Sequence, residues 1–192
     1  MIYPDVYEVG LPNQGIAILY NILNQAEGIS CERGYVPWPD MGDAMREANI
    51  PLLSLEGAAP VASFDIVGMH VPHEMAVTNF LEALDLAGIP LLAADRTEDD
   101  PIIVAGGPSV YNPEPYAAFF DAILIGEARS RCSRFASCIV TCAMRASRAP
   151  RLSSSSRRSV APMCRRSTRF AMTSPVRRMA TPCRAKARTS RR

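Results

Sequence analysis

The stretch Phe64–Leu92, FDIVGMHVPHEMAVTNFLEALDLAGIPLL, is one complete strand–helix unit, and its reading decides the fold. Phe64–Met69 is a short apolar run with Asp65 at its entry and Gly68 near its end. From about Glu74 to Ala87 the apolar residues Val77, Phe80, Leu81 and Leu84 recur on one helical face, and Gly88 with Pro90 stops the helix. The unit repeats downstream. Pro101–Ala105 is a buried-type strand running into Gly106-Gly107-Pro108, and Phe120-Asp121 opens the apolar run Ala122–Ile125, closed by Gly126.

Upstream, Met1–Tyr3 reads as the stub of a strand ending at Pro4. Strands usually need about five or six residues, so the first strand is expected to be truncated and to begin upstream of Met1. Pro12 fits the first turn of a helix carrying Ile16, Leu19, Tyr20 and Leu23 in phase and closed by Gly28. Ser30–Val36 is a second strand, and Asp40–Ala48 a short helix with Asp40 as its N-cap. Apolar strands separated by amphipathic helices predict a parallel sheet covered on both faces. The expected class is α/β, a doubly wound Rossmann or flavodoxin-like sheet.

The composition breaks after Glu127. All 19 acidic residues lie in Met1–Glu127, together with only Arg33, Arg46 and Arg96 as cations, which gives a formal charge of −16. Ala128–Arg192 has no Asp, Glu, Gly or His but 17 Arg, one Lys and 12 Ser, a formal +18. The first region has the length of one domain with its own core. No apolar run approaches the ~20 residues that span a bilayer. The start lacks the basic and apolar regions of a secretory signal. Cys31 alone among the six cysteines lies in the domain, which fits a reducing cytosol and a cytoplasmic protein.

Three readings of the basic region compete, one of them a folded extension, against which the lack of caps, turns and sustained periodicity counts. Alternatively, the region is a disordered arm able to bind nucleic acid non-specifically, which would make the chain a non-enzymatic binding module. Or it is an out-of-frame translation of a GC-rich gene, which also yields Arg, Ala, Ser, Pro and Cys in quantity. With G- or C-ending codons assumed, joining each wobble base to the next two bases from Arg129 onward gives a mixed acidic and basic string. That string has leucines at helical spacing, and it restores a Gly-Glu-Ala-Glu corner at the boundary. The favoured organisation is therefore an α/β domain over 1–127 and a disordered, out-of-frame tail over 128–192 that packs little against it. Nucleic acid is accordingly the second-ranked partner, and an acidic domain does not attract phosphates.

In a doubly wound sheet, ligands bind outside the carboxyl ends of the strands near a switch in strand order. Asp5, Tyr7 and Gly10 follow the first strand, Met69–His73 the third, Gly106–Ser109 the fourth, and Gly126-Glu127 the last. The Gly106-Gly107 pair admits close approach of a ligand to the backbone, or simply a tight turn with positive φ. His70 and His73 are the only histidines.

Several segments, taken in order, resemble the N-terminal domain of radical SAM proteins that carry a cobalamin-binding-like domain ahead of their catalytic barrel. They are Pro4–Gly10, Gly15–Tyr20, Pro37–Met41, Phe64–Gly68, Leu84–Leu92, Ala105–Pro108, Tyr111–Pro115 and Ile125–Glu127. The resemblance covers nearly all of residues 1–127. It implies a cobalamin or other small cofactor held by Asp5, Tyr7, Gly10, His70, Gly106, Gly107, Pro108 and Glu127, and a radical SAM barrel as the partner in the parent protein. It also implies a [4Fe–4S] cluster and SAM in that parent. Cobalamin domains of this class carry Asp-x-His-x-x-Gly after the first strand, the His ligating cobalt, where this chain reads Asp5-x-Tyr7-x-x-Gly10. Imidazole is a ready ligand, whereas a phenol must first ionise. Either the corrin binds without a protein ligand, or the fold survives without it. The cluster needs C-x₃-C-x₂-C. Cys132, Cys138 and Cys142 are spaced C-x₅-C-x₃-C, and Cys164 and Cys183 stand apart, so the chain itself is expected to have no catalytic residues and not to cleave SAM.

Overall fold

The computed structural model describes residues 1–126 and 169–171. Five strands run parallel: β1 (Ile2–Tyr3), β2 (Gly34–Tyr35), β3 (Ile66–His70), β4 (Ile102–Gly106) and β5 (Ala122–Ile125). The order across the sheet is β2-β1-β3-β4-β5, with β6 (Arg169–Ala171) antiparallel on the β5 edge. The helices are α1 (Tyr7–Gly10), α2 (Gln14–Gln25), α3 (Pro39–Glu47) and α4 (Val77–Leu86). The expected doubly wound α/β class is observed, in the flavodoxin-like order whose switch point lies between β1 and β3.

Alternation along the strands sorts the two faces. Ile2, Val67, Met69, Ile103, Ala105 and Ile123 point into the main core, where they meet Phe80 and Leu84 of α4. Phe80 anchors that core, its ring tilted on Phe120 at 4.8 Å and edge-on to Phe119 at 5.9 Å. Tyr3 points to the other face, where its ring lies against Gly10 at the end of α1. On the outside, Arg46 of α3 pairs with Glu82 and Asp85 of α4 and ties the two helices together.

Element boundaries differ from the periodicity in instructive ways. The second strand keeps only two of the seven expected residues. Asn24 explains this: its side-chain amide donates to Cys31 O and accepts from Cys31 N, so that backbone pairs with a side chain rather than a neighbouring strand. Asn13, not Pro12, starts α2, its Oδ1 accepting from Ile16 N. Asp40 does not cap α3. It sits in the first turn after Trp38, and its carboxylate accepts from Met41 N. The helix expected from Glu74 begins as a 3-10 turn (Glu74–Ala76) before α4. Gly88 does close α4, with φ +69, while Ile89 N reaches back to Leu84 O.

The two Phe-Asp pairs lie at the amino ends of β3 and β5. Asp65 O accepts from Ile102 N, and Asp121 Oδ2 accepts from Ile103 N at 2.8 Å. Asp121 also pairs with Arg96 at 2.9 Å. The Arg96 guanidinium is 1% exposed and donates as well to Pro90 O, Leu91 O and Phe119 O. This staple fastens the loop after α4 to the sheet at the end opposite the carboxyl rim.

Of the basic region, β6 alone is described, with Arg169 paired to Ile125. The remainder of Ala128–Arg192 lies outside the described residues. No described helix is long and apolar enough to cross a membrane.

Candidate functional site

At the switch point β1 and β3 share one residue pair, Ile2 with Met69. Just beyond it the rings of Tyr3 and His70 stack, with centroids 5.4 Å apart and planes 20° from parallel. The chain then turns at buried Pro4, whose carbonyl accepts from Asn79 of α4 at 2.9 Å. Asp5 Oδ1 accepts from the next amide, Val6 N, while Asp5 O accepts from Val36 N beyond β2. The loops after β1 and β2 are thereby held side by side. Tyr7 is 44% exposed and meets Tyr35 edge-on at 5.3 Å. The Tyr35 hydroxyl is buried without a well-formed hydrogen bond.

Burial lowers the pKa of His70, so its imidazole is neutral at neutral pH. His73 is exposed and precedes the 3-10 turn, its carbonyl accepting from Ala76 N. On the far side of the crevice, Val71 N donates to Gly106 O and Val71 O accepts from Ser109 N, closing the loop after β4 onto β3.

The glycines divide by what surrounds them. A Cβ on Gly10 would fall 2.6 Å from the Tyr35 ring and 2.9 Å from the Tyr3 ring, so this glycine makes room for aromatic side chains. A Cβ on Gly107 would fall 2.5 Å from Val71 O, and φ there is +131, so Gly107 serves the turn rather than the approach of a ligand. Gly106 is less confined, with Leu124 Cβ at 3.9 Å from the same test position.

The rim thus assembles Asp5, Tyr7, Gly10, His70, Gly106, Gly107 and Pro108, and Glu127 lies outside the described residues. Sequence reasoning did not single out Tyr3, Tyr35, Trp38 or Asn79 as site residues. Tyr3 and Tyr35 both end strands, a position that marks the rim as surely as the glycines do. Large apolar side chains are exposed after the strands, at Tyr7, Val9 and Leu11 after β1, Trp38 and Met41 after β2, Met75 after β3 and Tyr111 after β4, and also elsewhere, at Ile50, Leu53, Leu55, Leu91 and Leu92. A cavity of ≈ 20 Å³ lies instead at the amino end, among Met1, Ile2, Glu32, Arg33 and Gly34, with room for about one water.

A flavodoxin-like sheet with its switch point between β1 and β3 defines a doubly wound α/β domain. The comparison with family models specifies it: residues 15–160 match the family described as radical SAM proteins, N-terminal, and the chain belongs to that family. The match continues past Glu127, where the motif-by-motif resemblance stops, and begins after the Asp5–Gly10 loop. No curated protein and no solved structure matches the chain.

Membership implies a [4Fe–4S] cluster and SAM in the parent protein. The described residues do not fit the cluster. Their only cysteine is Cys31, whose thiol burial pushes up in pKa, and no three His, Cys, Asp or Glu side chains converge among them. They do not fit a protein-ligated corrin either. The residue at the ligand position is Tyr7, and rings of Tyr3 and Tyr35 fill the space beside Gly10.

Proposed function

We propose that residues 1–127 are the small-ligand-binding module of a radical SAM protein, receiving a ligand on the rim at the carboxyl ends of β1 and β3 and leaving SAM cleavage to the barrel of the parent protein. The observation that carries this is the β2-β1-β3-β4-β5 order, which gathers Asp5, Tyr7 and His70 at the switch point. In this reading Asp5, Tyr7, His70 and Pro108 face the ligand and Gly10, Gly106 and Gly107 shape the loops, while Glu127, outside the described residues, is the further contact that the resemblance implies. Cobalamin is the ligand that the motif pattern suggests, while a nucleotide suits a rim of backbone amides and exposed aromatic rings.

Trp38, the only tryptophan, stands on this rim and is 60% exposed. Its fluorescence should therefore respond to titration with ATP, NAD⁺ or hydroxocobalamin. No response to any of the three at millimolar concentration overturns the reading. A second reading, non-specific nucleic-acid binding through the arginine-rich region, draws on the formal +18 of Ala128–Arg192. It predicts a DNA affinity that falls steeply with salt and disappears on truncation after Glu127.

A further inference from the structure

We propose that Tyr3 and His70 beside the crevice between β1 and β3, together with Tyr35 on the β2 side of β1, form an aromatic seal, so that this rim accepts ligands that lie across it and rejects those that must insert a group between these strands and α1. A corrin whose nucleotide base has been displaced by a protein ligand is the clearest member of the rejected class. The proposal rests on the rim being the ligand site and states which chemistry that site takes.

The crevice opens where the chain leaves β1 for one face and β3 for the other. In this chain the space directly above the last β1–β3 pair is occupied by the stacked Tyr3 and His70 rings, 5.4 Å apart. Tyr3 is buried at 8% exposure, so its ring belongs to the packed interior rather than to an open wall. The second half of the seal is Tyr35, which pairs with Tyr3 from the β2 side and lies beneath α1. Its ring and that of Tyr3 both fill the place where any side chain at position 10 would sit, at 2.6 and 2.9 Å. Tyr7 braces Tyr35 edge-on at 82°. Offset and edge-to-face contacts of this kind hold rings in fixed orientations. The Tyr35 hydroxyl is buried beside the Arg33 guanidinium without a well-formed hydrogen bond.

Cobalt in a corrin has two axial positions. A protein side chain that takes the lower one must displace the corrin's own base, and that base then needs a slot in the protein. This rim fails both conditions through different residues: Tyr7 offers a phenol in place of a neutral nitrogen, and Tyr3 with Tyr35 fills the slot. A ligand lying flat over Tyr7 and Trp38 needs neither condition.

The test uses the full chain with hydroxocobalamin as the probe, read by visible absorption and by co-elution on gel filtration. Wild type should show no displacement of the corrin base. Tyr7→His supplies the imidazole and leaves the slot filled, so it too should show none. Tyr7→His with Tyr35→Ala supplies both, and should retain the corrin at least tenfold more tightly, with its base displaced. If that pair does not fold by circular dichroism, Tyr7→His with Tyr35→Leu replaces it. Base displacement by wild type or by Tyr7→His alone overturns the seal, as does a folded double variant that binds no better than Tyr7→His. Titration of Trp38 fluorescence with ATP and NAD⁺ in the same samples separates this from the wider reading, since the wider reading fails if none of ATP, NAD⁺ and the corrin affects Trp38 in wild type, whatever the variants do.

Discussion

Replacing Arg96 by Met tests whether the staple at the amino end of the sheet holds the fold as its geometry implies. Methionine keeps the apolar stem, so the loss is that of the guanidinium. It removes the ion pair to Asp121 at 2.9 Å and three bonds to the carbonyls of Pro90, Leu91 and Phe119. Removing one partner of a buried pair costs about 3–5 kcal/mol. The Asp121 side chain is 26% exposed and keeps its bond from Ile103 N, which places the cost near the lower end. The three carbonyls do not add in full, because the loop they belong to reaches water. A loss of about 3 kcal/mol, with a urea slope of about 1–3 kcal/mol per molar, moves the unfolding midpoint down by about 1–3 M. Asp121→Asn keeps an oxygen able to accept from both Arg96 and Ile103 and should cost less than half as much. Urea unfolding followed by far-UV circular dichroism measures both. A loss below about 1 kcal/mol for Arg96→Met, or a greater loss for Asp121→Asn, would refute the staple.

Tyr35→Phe removes a buried hydroxyl without a well-formed hydrogen bond and should leave stability unchanged or raise it by about 1 kcal/mol; a clear loss in thermal unfolding would mean that the hydroxyl is bonded to the Arg33 guanidinium beside it. Gly107→Ala drives a Cβ to 2.5 Å from Val71 O at φ +131 and should cost at least about 2 kcal/mol, whereas Gly88→Ala, at φ +69 with open space around it, should cost about 1 kcal/mol. Equal losses for the two would deny the close approach. His70 has its pKa depressed by burial, so the unfolded chain takes up the proton first. Its contribution is complete above the ordinary value of about 6.5 and is lost as pH falls from there through the folded value. His70→Phe, which keeps a ring against Tyr3, should flatten the stability profile across that interval, and an unchanged slope would assign it to other groups.

The sheet was legible because continuous apolar runs must be buried on both faces, and Ala122–Ile125 occupies the residues its periodicity marks. Glycine after α4 was legible for the same kind of local reason, since position 88 adopts positive φ. The second strand was overread because a side chain, Asn24, intercepts the backbone at Cys31, and no hydropathy pattern carries that event. At the rim, loop chemistry marked positions at the strand ends, but not what fills the space between them. Gly10 and Gly107 read equally well as ligand cradles from sequence. Their surroundings in three dimensions, two tyrosine rings in one case and the Val71 backbone in the other, give both a packing role. The stack of Tyr3 on His70 joins residues 67 positions apart and depends on the switch in strand order, which emerges only once the sheet is assembled.

The most direct test of the rim as the ligand site is amide chemical-shift mapping of the ¹⁵N-labelled chain titrated with ATP. The account predicts shifts gathered in 4–10, 35–38, 70–75 and 106–111, with the Arg96 staple at 90–96 and 119–121 unmoved. Shifts confined to the staple end, or to the arginine-rich residues beyond 127, would contradict it.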